Sequence, residues 1–405
     1  PLERQVLARS LPVSRQWRRI ILEGYKVLLQ AAATETGLDD FGSDSFLEGL
    51  EKLVNALRDE ARLNPLGEAV LRGRIIGHLK QRLQVEDWYR RYPDIDEVPI
   101  AAPLIGIGLP RTGSTVLSCL LALDADTRSL RRWEAAQPCP PPATVTGPDP
   151  RIETDLAAQR ATGLKSHVPS GAGAPAECLD LMALDFKSQI FQAFAQVPSY
   201  SDWLLAADHT STYLYERRVL KLLQWGCPAR PWRLKSPAHL AYLDQLDRAF
   251  PDARFVMTHR EPADVMLSVA EVYADIAAKF TDHLDTHYLA QLNIHHWSEG
   301  MRRALAFREC GDHDERFYDI DFRAMQRDPV AAVRGLYRWL GEPVSEDFER
   351  GMAAWWRENS EDRESAPRRD AADYGIDLAQ VRPLFADYSR RAMLWTQKRS
   401  SRNGD

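Results

Sequence analysis

Three clusters in the sequence combine residue types and spacings that could handle an anion. The apolar run Leu104–Ile107 leads into Gly108-x4-Gly113-Ser114-Thr115. Glycines at both ends let the backbone turn and come close to a ligand. The N–H groups that open the following helix would point at an anionic group, and Ser114 and Thr115 add hydroxyl donors. The ATPase and GTPase version of such a loop carries Lys directly after the second glycine, to reach the β- and γ-phosphates. Here that position is Ser114, and the cation inside the loop is Arg111. The loop therefore reads as an anion cradle that suits an ordinary triphosphate poorly. The second cluster is His259-Arg260-Glu261-Pro262, with Ser268 eight residues beyond Arg260. An Arg leaving a strand end and a Ser about two turns into the next helix can face one oxyanion. The third is Trp232–His239, where Lys235 stands at the change from strand to Ser236-Pro237. A cation there could neutralise charge growing on a bridging oxygen during group transfer. Taken singly, each cluster also has a plain structural reading: a strand–turn–helix joint, a surface Arg with a helix-face Ser, a solvated Lys.

These residues need a scaffold that brings their loops together. Leu104–Ile107, Trp232–Leu234, Arg254–Thr258 and Phe317–Ile320 read as short buried strands. Helix signals follow each one: Ser114–Leu123 after the loop, Ser236-Pro237 as cap plus first-turn Pro, a helix from about Pro262, and Asp328-Pro329 capping a helix through Leu340. Strands alternating with helices predict a mainly parallel sheet covered on both faces, with ligands at the carboxyl ends of the strands. The 108–115 loop, Lys235 and Arg260 all fall at such ends. The expected fold class is α/β: a P-loop-like central parallel sheet flanked by helices, with a helical N-terminal region. In that region Trp17, Ile20, Ile21 and Leu28 share a face, as do Leu47, Leu50, Val54 and Leu57. Asn64-Pro65 starts a further helix carrying Leu66, Val70, Ile76, Leu79 and Leu83. Further helical stretches are expected near 176–195 and 211–225. The proline-rich 138–150 segment should lack regular structure. The chain thus divides into a helical region (1–98, scaffold or substrate-side cap), an α/β domain (99–397) and a polar, frayed tail (398–405).

In order and spacing the three clusters resemble the sulfotransferases that use 3′-phosphoadenosine 5′-phosphosulfate (PAPS), specifically their broad bacterial-type branch. The matching segments are Leu109–Thr115, Leu234–Leu240 and Phe250–Pro262 with Ser268. Tyr318–Phe322, Asp328-Pro329, Tyr337–Gly341 and Asp373–Asp377 resemble later parts of the family pattern. The likeness runs roughly from 45 to 390. It implies that Arg111, Thr112, Gly113, Ser114 and Thr115 hold the 5′-phosphosulfate. Arg260 and Ser268 would hold the 3′-phosphate, Lys235 the bridging or transferring oxygens, and Tyr318 would lie near the adenine. Arg368 and Arg369 would close over the 3′-phosphate, as a basic loop does in cytosolic relatives. The reaction implied is in-line transfer of a sulfuryl group to an acceptor hydroxyl or amine, leaving 3′,5′-ADP, with catalysis by positioning and charge stabilisation.

Three departures stand out. Cytosolic animal enzymes have Lys where this chain has Arg111, and Arg presents a planar fork. They stack a Trp on adenine where this chain has Val116. Their catalytic His lies two residues past the Lys, a position occupied here by Pro237. The base must come from elsewhere. The leading candidate is Glu134, 22 residues past Thr112, about where the resemblance to some bacterial relatives implies a catalytic Glu, in a Trp-Glu pair followed by a proline-rich segment as in that family. His167 and His239 follow. Each also has a structural reading, as a salt-bridge partner, a loop residue and a core His respectively.

Composition sets outer bounds. A net charge of −6 over 405 residues disfavours broad nucleic-acid binding. No run approaches the length of a membrane span, and no signal peptide is read. The five cysteines (Cys119, Cys139, Cys178, Cys227, Cys310) are scattered and odd in number, which fits a reducing cytoplasm and no disulfide framework. There is no CxxC pair. His283 and His287 have helical ligand spacing, but position 284 is Leu rather than the Glu of HExxH and no third ligand is evident, so no metal is expected. Eleven Trp and the apolar helices permit a hydrophobic alcohol or phenol as the small-molecule acceptor. Homo-oligomerisation stays open. The competing readings are a P-loop small-molecule or nucleotide kinase, and a non-catalytic nucleotide-binding protein on the same fold. The first lacks the P-loop Lys and recognisable Mg²⁺ carboxylates. The second would have little use for Lys235, Arg260 and Ser268 together.

Overall fold

In the computed structural model, residues 24–162, 171, 173–360 and 370–402 are described. Five parallel strands form one sheet in the order β2-β3-β1-β4-β5: β1 Leu104–Gly108, β2 Arg128–Ser129, β3 Trp232–Lys235, β4 Arg254–His259 and β5 Phe317–Asp321. Each of the four expected strands starts where predicted and runs one residue further at its carboxyl end, and β2, only two residues long, carries no pattern to find. Alternate side chains along the strands feed different cores, as the two-residue period requires. Ile105, Ile107, Leu234, Phe255, Met257 and Phe317 enter one large cluster. Leu104, Val256, Tyr318 and Ile320 enter another, against Leu117, Leu120 and Leu121 of the Ser114–Leu121 helix and Val333 and Leu336 of the Pro329–Leu340 helix. Burial on both faces explains why the strands read as continuous apolar runs.

A third cluster joins residues 28–83 to residues 183–204, including Leu50, Leu53, Ile75, Leu79, Phe186, Phe191 and Tyr200. The long helix Pro65–Arg91 begins as expected, with the Asn64 side chain accepting from Gly67 N–H at 2.9 Å. It runs from this cluster into the main core through Val85 and Tyr89. The predicted face at Trp17, Ile20 and Ile21 lies outside the described residues.

Other expectations need correcting. The 176–195 stretch is two short helices, Leu179–Ala183 and Ile190–Phe194, joined by a turn at Phe186, whose φ is +53°. Within 138–150, Pro142–Thr144 forms a 3-10 turn. The C-terminal helix Ala386–Arg402 carries on through 398 instead of ending there. His283 precedes the Thr286–Glu309 helix, which Asp285 caps, so His283 and His287 do not share a helical face. Among the described residues no helix is long and apolar enough to cross a membrane.

Candidate active site

The sheet's connectivity reverses around β1, and the crevice at the carboxyl ends of β3, β1 and β4 is where such folds place ligands. Register sets the floor of that crevice: Gly106 pairs with Lys235, and Gly108 with Thr258. Gly108 has φ +133°, and a Cβ there would stand 2.6 Å from the Thr258 carbonyl oxygen. Gly113 has φ +88°, and its Cβ would meet Met325 Cε at 2.4 Å. These two glycines fix the loop's path because no side chain fits at either turn. Arg111 takes a positive φ of 63° between them, a conformation that needs the surrounding contacts to hold it. Gly113 is the N-cap of the Ser114–Leu121 helix, with no side-chain capping bond. The helix start therefore keeps its donors for an anion.

Thr112 is fully buried. Its hydroxyl donates to Leu109 C=O at 2.7 Å and lies 2.6 Å from Thr258 Oγ1. It ties the loop to β4, which is a different use of the hydroxyl from the ligand contact expected of it. The loop and the β4 end are laced together at the surface as well. Arg260 Nη1 donates to the Arg111 carbonyl at 2.9 Å, and Arg111 Nε donates to Ser268 Oγ at 3.1 Å. Phe322, just past β5, carries the Arg260 guanidinium on its ring at 4.6 Å. Phe322 and Met325 thus complete the crevice; Phe322 closes the Tyr318–Phe322 segment that resembles the family pattern, while nothing in its sequence context marks Met325.

Behind Arg260, His259 is buried, with Nε2 2.8 Å from Asp319 Oδ1 and Nδ1 3.1 Å from the Tyr388 hydroxyl. Asp319 also accepts from Arg308 at 2.8 and 3.1 Å. Burial works to raise the Asp319 pKa, but the His259 and Arg308 contacts outweigh it and hold the carboxyl well below its ordinary range. The strand end that carries Arg260 is thereby anchored to the sheet, the Thr286–Glu309 helix and the C-terminal helix.

Lys235 is buried at the end of β3, and its Nζ reaches Thr115 Oγ1 at 3.5 Å and Glu177 Oε1 at 2.5 Å. Glu177 sits in an irregular segment before the Leu179–Ala183 helix, with a third of its side chain exposed. Main-chain bonds hold that segment: Ala176 N–H donates to Leu130 C=O at 2.7 Å and Cys178 N–H to Lys235 C=O at 3.1 Å. The sequence reading passed over Glu177, because no local pattern ties it to a lysine 58 residues away.

Two of the residues considered for the base are engaged within the fold. Glu134 is 2 % exposed, and both its oxygens are engaged: one accepts from Arg131 N–H at 3.0 Å as a capping-box residue, the other from Arg128 at 2.9 Å. His239 is fully buried, its Nδ1 3.1 Å from the Tyr213 hydroxyl, and burial pushes its pKa down to about 3. Tyr318, the second residue of β5, is also buried and packs on Trp339 with ring centres 5.6 Å apart, toward the amino end of the strand. His167, Arg368 and Arg369 lie outside the described residues. The structure thus brings together Arg111, Gly113, Ser114, Thr115, Lys235, Arg260 and Ser268, adds Glu177, and shows Glu134, His239 and Tyr318 buried and engaged within the fold.

Comparison with known proteins meets this geometry from outside. Sulfotransferase STF9 from Mycobacterium avium superposes with a TM-score of 0.81 at 30% identity, over 90% of this chain and 95% of that one. Sulfotransferase STF1 from Mycobacterium tuberculosis H37Rv gives 0.79 at 30% identity, over 89% and 98%. No curated protein sequence matches. The model of the sulfotransferase family matches residues 103–346, a span that holds every strand and all of the crevice residues named above. With its P-loop-like fold and its anion cradle at the strand ends, the chain belongs to the sulfotransferase family.

Proposed function

We propose that this chain moves a sulfuryl group from PAPS to a hydroxyl or amine of a small-molecule acceptor. The observation that carries the reading is the lacing of two anion elements at adjacent strand ends, Arg260 to the Arg111 carbonyl and Arg111 to Ser268. A donor with phosphate groups at both its 5′ and 3′ positions suits two neighbouring cradles, whereas a linear triphosphate would use one. Residues 111–115 hold the 5′ side, with Thr112 acting through the loop's shape. Arg260 and Ser268 hold the 3′-phosphate.

The donor supplies an electrophilic sulfur, and the protein's part is charge and proton management. Lys235 leaves Glu177 and turns to the oxygen that bridges to the departing phosphate, where it offsets developing negative charge. Glu177, released from the ion pair and partly exposed to the crevice, takes the proton from the acceptor as its oxygen or nitrogen bonds to sulfur. The bond from sulfur to the bridging oxygen breaks, and 3′,5′-ADP leaves with that oxygen. Glu134 serves the Arg132–Ala136 helix and not the acceptor. We place the protein in a reducing compartment such as the cytoplasm, a reading supported by five cysteines none of which is in a disulfide.

Thermal-shift titration with 3′,5′-ADP, plain ADP and ATP–Mg²⁺ tests the donor. At 100 times the dissociation constant a ligand stabilises by about 2.7 kcal/mol. Selective stabilisation by 3′,5′-ADP supports the reading. A shift with ATP–Mg²⁺ and none with 3′,5′-ADP would replace it with a kinase.

A further inference from the structure

Behind Lys235 and Glu177 lies a second cluster that the transfer reaction does not use. Cys178 follows Glu177 and is fully buried. His239 lies one turn past Lys235 and is fully buried. Glu216, from the Thr210–Gln224 helix, is 1 % exposed. One ligand atom from each, the thiol sulfur, a ring nitrogen and a carboxylate oxygen, lies within 4.8 Å of the others. Neither oxygen of Glu216 has a hydrogen-bond partner, and neither does His239 Nε2. Three buried polar atoms with only the weak Cys178 thiol beside them are costly, since each forfeits its hydration. The Tyr213 hydroxyl, 3.1 Å from His239 Nδ1, is a fourth donor atom beside them.

We propose that Cys178, Glu216 and His239 ligate a single zinc(II) ion, which pins the Glu177 segment to the end of β3. The ligand chemistry selects this metal: one soft thiolate, one imidazole and one carboxylate suit Zn²⁺ and exclude Mg²⁺ or Ca²⁺, which want oxygen alone. Charge closes as well, because a thiolate and a carboxylate together balance a divalent ion, leaving a neutral centre in an apolar interior. Tetrahedral zinc sets its ligand atoms roughly 3.3–3.8 Å apart, so the three side chains need to close by about an ångström. Without a cation, burial drives all three groups to their neutral forms: Glu216 is pushed up to about 7, the Cys178 thiol well above its ordinary value, and His239 down to about 3. The ligands are 38 and 23 residues apart along the chain, which is why no spacing motif announces them and the sequence reading expected no metal.

The position gives the ion a structural task. Cys178 N–H already donates to the Lys235 carbonyl at 3.1 Å. A metal bonded to Cys178 and His239 would fix both chain segments that carry the Lys235–Glu177 pair.

The test is metal content, which needs no activity. Full-length protein is expressed in zinc-supplemented medium, purified without chelator or metal-affinity resin, and analysed by mass spectrometry of the elements. The expected result is about one zinc per chain, with Glu216→Gln, a near-isostere, retaining less than about a tenth of that while circular dichroism shows it folded. Protein grown in cobalt should show a thiolate-to-cobalt charge-transfer band that Cys178→Ser abolishes. Because the site is buried, zinc should load during refolding from denaturant and exchange slowly afterwards. Folded wild-type protein that carries no zinc either as purified or after refolding in zinc overturns the proposal. So does zinc held undiminished by folded Glu216→Gln and Cys178→Ser, which would place the ion elsewhere. If both variants fail to fold, the wild-type metal content and the thiolate–cobalt band decide alone.

Discussion

The two sides of the crevice are built by different means. On the side we assign to the donor, the ligand-facing groups sit within two short stretches, 108–115 and 259–268, each a strand end followed by a helix. Backbone conformation does much of the work there: two glycines with positive φ, an uncapped helix start, and cross-links from Thr112, Arg111 and Arg260. On the other side, the 130–231 connection between β2 and β3 folds into short helices, and Glu177 reaches Lys235 from an irregular segment held by single main-chain bonds. Two glutamates of that connection show the consequence. Glu134 has a helix to cap and an arginine to pair with, so its charge is spent on structure. Glu177 has one partner, and that partner has a competing use once a donor binds. The lesson is that a buried, fully bonded carboxylate and a partly exposed, singly paired one offer different chemistry, although both look alike in sequence.

The sharpest way to break this comparison is to neutralise the two glutamates separately. Glu177→Gln should lower kcat by about 10²- to 10⁴-fold, the usual weight of a general base, while 3′,5′-ADP still raises Tm. Glu134→Gln should leave kcat near wild type and reduce stability by about 1–3 kcal/mol, because Arg128 loses a charged partner. Steady-state kinetics beside thermal melts would read both. A folded Glu134→Gln protein without turnover, next to a Glu177→Gln protein that works, would exchange their roles. Lys235→Met comes next. Removing its charge from the bridging oxygen should cost about 10²- to 10³-fold in kcat, with a smaller change in KM for the acceptor. Equal losses in kcat for Lys235→Met and Lys235→Arg would show that position, not charge, is what matters there.

The same contrast explains what could be read from the sequence. The fold and the loop geometry we assign to the donor were legible because their determinants are local: Gly108 and Gly113, Ser236-Pro237, Asp328-Pro329, and strands whose burial on both faces leaves apolar runs. The distance from Arg260 to Ser268 is a property of one helix. Glu177, Met325 and the use of Phe322 under Arg260 were not legible, since each gains its meaning from a residue far along the chain. Glu134 shows the same limit. A Trp-Glu pair before a proline-rich stretch looks like a site residue until Arg128 and the Arg131 N–H are seen to occupy it. Tyr318, which the resemblance puts near the adenine, is buried as the second residue of β5 and packs on Trp339.

Within the donor side the expected effects shrink from ligand contacts to scaffold. Arg260→Ala removes a charged donor from the 3′-phosphate and should weaken 3′,5′-ADP by about 1.5–3 kcal/mol, roughly 10- to 100-fold, with plain ADP affected little. Calorimetric titration of both nucleotides reads the difference. Parallel weakening of ADP would mean that Arg260 acts through the Arg111 carbonyl on the whole loop. Gly113→Ala places a methyl against Met325 at a positive φ and should cost about 1–3 kcal/mol of stability. Urea melts would show this, and an unchanged midpoint would mean that the loop can take another path.

Thr112 gives the finest test, because its type predicts one role and its surroundings another. If the hydroxyl touches the donor, Thr112→Val should weaken 3′,5′-ADP and leave the empty protein's stability alone. Its bonds point inward, to Leu109 C=O and Thr258 Oγ1, and the side chain is fully buried. Thr112→Val is nearly the same shape and strands two interior groups without a partner. It should therefore lower stability by about 1 kcal/mol and change nucleotide affinity much less. Thr112→Ser keeps the hydroxyl and should recover part of the loss, short of the methyl's burial. Comparing urea midpoints and 3′,5′-ADP affinities across the three proteins separates the readings. A loss confined to affinity would move Thr112 from the scaffold to the ligand, and would mean that the loop reopens its internal bonds when the donor arrives.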